Sequence, residues 1–336
     1  MDSLTHIALG ACIGEAFFGK KIGRKAMLWG ALAQSLPDID FVAAFWMKPA
    51  DALLAHRGFT HSIMFAILGA LLLSLIAERW HRPHNISLKK WYLFFALQLF
   101  IHIFIDAFNN YGVGWFEPFS HNRISFNTIF VVDPFFTVWP LIAFVALLFL
   151  KRNNPKRKFW WRFGIIISSA YLFYCVINKL MIDKEVKDIA KRENIYYTNY
   201  FTTPTPLNNL LWYVVLENNN GYHVGFRSIF DKKKNISFIF FSRNDSFLNK
   251  VDDHEEVQKL IRFSKGFYTA EKWNDTLVFN DLRFGQIIGW HDPNEKFVFH
   301  YFLMHNADNR LVVQRGRFAK WNLGIIQSLI KRIEGD

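Results

Sequence analysis

Apolar positions follow two patterns along the chain. Up to about residue 182 they gather in long runs, at about 4–18, 26–46, 61–78, 91–108, 129–150 and 163–182. Roughly 20 apolar residues cross the hydrocarbon layer of a bilayer, so the pattern predicts about six transmembrane helices, the first of them short. Beyond residue 182 the runs shrink to strand length: LWYVVLE (211–217), ISFIFFS (236–242), TLVFN (276–280) and KFVFHYFLMH (296–305), set apart by turn-forming Asn, Asp and Gly. Asp253–Lys265 and Leu323–Arg332 repeat their apolar residues with a helical period and predict amphipathic helices. The expected architecture is a membrane all-α region over 1–182, followed by a soluble, strand-rich α+β domain over 183–336 of ordinary domain size.

Charge sharpens this division. The chain carries a net charge of +12, but residues 1–182 hold 18 Lys and Arg against 9 Asp and Glu, whereas residues 183–336 hold 22 against 19. Fourteen of the 18 basic residues fall in three of the loops between apolar runs, around Lys20–Lys25, Arg79–Lys90 and Lys151–Arg162. Basic loops stay cytoplasmic, so the alternation predicts that both termini, and with them the 183–336 domain, face outward. A basic protein also invites nucleic acid, but that needs a basic face with stacking aromatics on a folded domain, and here the surplus lies in short inter-helix loops; no nucleic-acid partner is expected. Cys12 and Cys175, both inside apolar runs, cannot build a disulfide framework or a thiolate zinc site. The first run has no basic segment before it and no small-residue cleavage site after it, so it is expected to be retained as a helix.

Ionisable residues inside membrane helices are costly and mark function by default. His102 and Asp106 stand at i and i+4 in FIHIFIDAF, on one helical face, which suits two ligands of one metal or a plain His–Asp hydrogen bond. In SLPDIDF, Pro37 ends or kinks the helix, so Asp38 and Asp40 need not splay apart. HRGFTHS places His56 and His61 just before an apolar helix, where Thr60 or Ser62 can serve as its cap. With the predicted orientation, His6, Asp38, Asp40, His56, His61, His102 and Asp106 all fall at one depth, near the outer face. Four imidazoles and three carboxylates suit Zn²⁺, Mn²⁺ or Fe, and are enough for one ion or for two with a bridging carboxylate. Glu15 is out of phase with His6 on its helix and reads as a packing residue. Asp133, before Pro134, reads as a helix cap or as support for a ligand. Arg123 can clamp a phosphate or snorkel to the interface, and His291, His300 and His305 read as structural.

Several stretches resemble a known family: DSLTHIALGACIGEAF, the PDID after an apolar helix, HRGFTHS, the His102/Asp106 pair, and NNYGVGWFEPFSHNRIS followed by IFVVDPFFT. In this order over about residues 1–150 they are similar to the bacterial inner-membrane-associated metal-dependent hydrolases labelled LexA-binding; DLRFG (281–285) also looks like a family feature. The resemblance implies a multi-pass protein of the bacterial inner membrane with a metal held by the seven residues above. The expected activity is hydrolysis at the outer interface of a lipid-like or phosphoester substrate, with Asp40 or Asp106 as proton acceptor and Arg123 on the anion. Two other classes fit part of the pattern. A metal or proton transporter needs polar sites along a path through the membrane near the midplane, and the inner halves of the third to sixth runs are nearly all apolar. A regulatory scaffold needs a cytoplasmic domain, which the charge pattern does not provide.

Overall fold

The computed structural model describes residues 1–82, 85–304, 309 and 317–335; His305, the last position of the strand expected over 296–305, lies outside the described residues. The chain divides into two compact units, Met1–Phe45 with Ala55–Val176, and Trp46–Leu54 with Ile177–Asp336.

The first unit is helical. Its elements are α1 (Ser3–Ile22), α2 (Arg24–Ser35), a 3-10 segment Pro37–Phe45, the end of α3 (Pro49–Ala55), a 3-10 turn Phe59–His61, α4 (Ile63–Trp80), α5 (Leu88–Asp106), α6 (Pro134–Phe149) and the first part of α7 (Lys156–Arg192). Short polar side chains open these helices by accepting otherwise unpaired N–H groups. Asp2 accepts from Thr5 before α1, Ser62 from Phe65 before α4, and Asp133 from Phe135 and Phe136 before α6. Asp133 is therefore a cap, and its second oxygen accepts from the Tyr171 hydroxyl at 3.0 Å.

The expectation of six spans requires correction. Among the described residues, α4, α5 and α7 are long and apolar enough to cross a membrane, and α6 is a shorter apolar helix of 16 residues. The run at 26–46 is not one helix. Pro37 has no N–H to donate, so α2 stops at Leu36 and the chain continues as the 3-10 segment. That break separates Asp38 and Asp40 from the helix that precedes them.

α1 and α2 pack as a tight antiparallel hairpin. A Cβ added to Gly10 would lie 2.4 Å from the Gly30 carbonyl oxygen, and one added to Gly30 would lie 2.0 Å from that of Gly10, so only glycine fits at this crossing. Small residues permit such backbone approach where lipid supplies no hydrophobic drive for helix association. The Gln98 side chain of α5 donates to the Gly10 carbonyl at 3.1 Å. Away from the expected site, Glu15 meets Arg157 in a two-pronged ion pair, Nε to Oε1 and Nη2 to Oε2, both 2.7 Å, with both side chains buried. Arg157 also donates to the Leu147 and Leu150 carbonyls at 2.7 Å, closing the end of α6. The pair ties α1, α6 and α7 together, which gives Glu15 a packing role.

The second unit holds two antiparallel sheets. One runs β1 (Asn199–Pro204), β2 (Leu211–Glu217), β3 (Gly221–Ser228), β4 (Ile239–Ser242), in that order; the other runs β5 (Tyr268–Trp273), β6 (Thr276–Gln286), β7 (Phe297–Phe302). β2 covers the residues expected from LWYVVLE, whereas β6 extends well past TLVFN, and the Asp281 and Arg283 buried in its extension pair with each other. Helices α8 (Asp245–Leu248), α9 (His254–Phe263) and α10 (Leu323–Ile333) complete the unit, α9 capped by Asp253 and α10 by Asn322. The apolar faces of the latter two bury Val257, Leu260 and Phe263, and Ile325 and Leu329.

Candidate metal centre

The break at Pro37, the turn through HRGFTHS and the end of α5 bring Asp38, His61, His102 and Asp106 together within the first unit. One ligating atom from each lies within 4.8 Å of all the others. His61, His102 and Asp106 are fully buried, while the Asp38 side chain keeps 19% of its surface exposed and marks the open side.

Hydrogen-bond partners fix how the two imidazoles face. His102 Nδ1 lies 2.5 Å from the Gln34 carbonyl oxygen, which can only accept, so the ring hydrogen sits on Nδ1. His61 Nδ1 lies 3.1 Å from Thr60 Oγ1 and 3.4 Å from Asp40 Oδ2, while Thr60 gives its own hydrogen to Asp40 at 3.0 Å. The His61 hydrogen is therefore on Nδ1 as well. Both Nε2 atoms then carry lone pairs, and they face each other at 3.2 Å. Two lone pairs at that distance repel unless a cation lies between them. The carboxylates complete the enclosure: Asp38 Oδ1 lies 3.5 Å from His61 Nε2 and 3.6 Å from His102 Nε2, and Asp106 Oδ2 lies 3.3 and 3.7 Å from the same atoms. Four ligands about 2.0–2.1 Å from a tetrahedral ion sit about 3.3–3.4 Å apart. Five of the six edges of this tetrahedron thus match a metal cage without any movement. Asp106 Oδ2 and Asp38 Oδ2 have no hydrogen-bond partner, and neither does the Gln34 side-chain nitrogen. Buried polar atoms are almost always satisfied, so orphaned oxygens at this point are what a metal site predicts. The donor set, two imidazole nitrogens and two carboxylate oxygens, suits Zn²⁺, Mn²⁺ or Fe²⁺.

The remaining expected ligands stand around this quartet. Asp40 is saturated by donors: His56 Nδ1 at 3.0 Å, the Arg57 backbone N–H at 2.6 Å and the Thr60 hydroxyl at 3.0 Å. Through His61 Nδ1 it orients a ligand from behind, the usual office of a carboxylate next to a metal-binding histidine. Burial raises the Asp40 pKa, but hydrogen bonds from His56 and His61 outweigh it and hold the carboxyl well below the usual range, so it remains charged. Burial lowers the His56 pKa against the opposing effect of the Asp40 hydrogen bond. His56 thus belongs to the Asp40 side. His6 stacks on His102 with ring centroids 3.8 Å apart, and its Nε2 lies 3.2 Å from Asp106 Oδ1. Arg123 donates from Nη2 to the His56 carbonyl at 2.7 Å and so holds the HRGFTHS turn. His300, in the second unit, packs against Trp273 and Phe302.

Three neighbours were not among the expected site residues. Gln34 accepts at His102 and lies 3.2 Å from His6 Nδ1, and its signal was an amide in an apolar helix. Asn109 accepts from Arg57 and the Tyr111 N–H. Arg57, present in the sequence only as the second residue of HRGFTHS, places Nε 3.4 Å from Asp106 Oδ2.

If Asp40 orients without ligating, Asp40→Asn is expected to leave the fold intact and to weaken metal binding by about 10–100-fold, the usual cost of losing such a partner. Competition with a chromophoric chelator measures this, and an unchanged affinity would remove Asp40 from the site.

Comparison with known proteins places the helical part. Residues 1–182 match the model of the YdjM inner membrane protein family. The chain belongs to this family. The "Inner membrane protein YbcI" of Escherichia coli (strain K12) is 30% identical over 154 residues, 45% of this chain and 81% of that protein. The protein YfhP of Bacillus subtilis (strain 168) is 26% identical over 232 residues, 67% of this chain and 68% of the relative. No solved structure matches. The family and the first relative bear out an inner-membrane protein; the helical N-terminal region and the C-terminal domain of antiparallel sheets are features of the structure itself.

Proposed function

We propose that the chain is a membrane-bound, metal-dependent hydrolase, active at the outer interface of the membrane on a lipid-like or phosphoester substrate. The observation that carries this reading is the pair of His61 and His102 lone pairs converging at 3.2 Å inside a cage closed by two carboxylates, Asp106 fully buried and Asp38 partly exposed. A divalent ion there lowers the pKa of a bound water and polarises the scissile oxygen. The chain supplies the rest. Asp38, exposed on one edge, stands where substrate and water reach the site, and its second oxygen is free to accept a proton. Asp40 and the Gln34 carbonyl keep both histidines in the tautomer that ligates. Arg123, by holding the His56 carbonyl, keeps the turn in place, and its charge favours an anionic headgroup. In this reading α6 crosses as well, so that the α4–α5 loop and the loop Lys151–Arg162 face the cytoplasm and the strand-rich domain faces outward.

A screen of phospholipids, lipid pyrophosphates and nucleotide esters, comparing wild type with His102→Ala, tests the activity. Turnover by wild type alone is the expected result; no difference across substrates, metals and pH would end the hydrolase reading. A reporter active only outside the cytoplasm, fused after Asp336, should be active, whereas the same reporter within Lys151–Arg162 should be silent.

A further inference from the structure

Arg57 is the one member of the cluster whose backbone is forced. Its φ is 58°, a left-handed conformation that a residue with a Cβ seldom adopts. Two hydrogen bonds impose it: the Arg57 N–H donates to Asp40 Oδ2 at 2.6 Å, and the Arg57 carbonyl accepts from Gly114 at 2.9 Å. The twist turns the side chain inward, where it is buried, with Nη1 on Asn109 Oδ1 at 2.9 Å and the guanidinium over the Tyr111 ring. Its Nε, 3.4 Å from Asp106 Oδ2, makes no hydrogen bond. Strain of this kind persists only when the surroundings over-determine it, and it clusters at functional sites. A fixed cation thus lies against the same carboxylate oxygen that faces the His61 and His102 nitrogens.

From these contacts we propose that the site holds a single divalent ion and that Arg57 is its permanent second cation, standing where a two-metal centre would place the second ion. This inference rests on the metal reading above. The ions of a two-metal site lie about 3.5–4 Å apart, close enough to share one carboxylate. Asp106 is the carboxylate two such ions would share, and Arg57 stands at Oδ2, the oxygen that faces the quartet, while Oδ1 lies 3.2 Å from His6 Nε2. Asp40 has donors on both oxygens. Among the described residues, no second group of three His, Cys, Asp or Glu side chains converges as the quartet does. Arg57 is thus a positioning residue that acts through Asp106 and sets the number of ions.

The sign of one measurement separates this role from that of a structural prop. A prop removed loosens Asp106 and weakens the metal. A cation removed from beside a metal ligand relieves repulsion and strengthens metal binding. The full chain, purified in detergent and stripped with a chelator, would be dialysed against Zn²⁺ for stoichiometry and titrated against a chromophoric chelator for affinity. Wild type and Arg57→Lys should each take one ion with similar affinity. Arg57→Met should either bind at least about tenfold tighter or admit a second ion, as expected for a unit charge removed within a few ångströms. Two ions in wild type, or weaker or unchanged binding in an Arg57→Met protein with wild-type circular dichroism, would overturn the proposal while leaving the metal site standing. A wild type that takes no ion would overturn the metal reading itself. Should Arg57→Met not fold, the wild-type stoichiometry decides alone.

Discussion

His102→Ala is expected to empty the metal centre. The substitution removes one of four donors and also the ring that separates the Gln34 carbonyl from the quartet. Asp38 and Asp106 would then face each other with one imidazole between them, their mutual repulsion offset on the Asp106 side by Arg57. Loss of a supporting partner alone typically costs 10–100-fold in metal affinity, so loss of the ligand should exceed about 100-fold. Zn²⁺ retained through purification, measured by elemental analysis, should fall from near stoichiometric to background. His102→Ala also vacates space beside His6, whose ring stacks on it, so circular dichroism must show that the helices survive. Metal occupancy in wild type should likewise fall in acid, because protons compete with the ion for the imidazole nitrogens. Undiminished metal in a folded His102→Ala protein would show that the quartet is not the site.

Part of this centre was legible because spacing alone places residues on a helix. His102 and Asp106, one turn apart in α5, had to share a face whatever the remaining fold. The sequence could also place Asp38, Asp40, His56 and His61 at one depth, since the first two lie in the outer half of the run 26–46 and the other two at the entry to the run 61–78. It could not separate a ligand from a residue that orients one. Asp38 and Asp40 are two positions apart and chemically identical, and only the 3-10 course after Pro37 sends one toward the ring nitrogens and the other to the back of His61. Arg57 was hidden for a different reason. A lone arginine in an outer loop reads as an interfacial charge, and the left-handed φ that turns it inward comes from contacts with Asp40 and Gly114, remote in sequence.

The same limit explains the elements. β2 is visible as a strand-length apolar run between turn-forming residues, and α9 and α10 through their 3.6-residue period, all of them local signals. The six-span expectation failed where apolar run length was taken for helix length. Residues 26–46 are apolar almost throughout, yet Pro37 divides them, and α1 carries Glu15 in its middle because a partner waits on another helix.

That partner gives the second large effect: Glu15→Ala is expected to unfold much of the helical unit. Both members of the Glu15–Arg157 pair are buried, and removing one leaves the other as an uncompensated charge, which costs about 3–5 kcal/mol. Arg157→Ala should cost at least as much, because it also strips two hydrogen bonds from the Leu147 and Leu150 carbonyls at the end of α6. Replacing both partners with apolar residues of similar size, Glu15→Leu with Arg157→Met, should be milder than either single change, since no orphaned charge remains. Denaturant-induced unfolding in a fixed detergent, followed by the loss of helical signal, measures all three. The order single, single, double is the critical result. If the double variant is worse than both singles, the pair contributes net stability through its own attraction, and the desolvation argument for Glu15 is wrong. If Glu15→Ala shifts stability by less than about 1 kcal/mol, the range for an exposed pair, then water reaches this end of the bundle and the pair is not a buried tie between α1, α6 and α7.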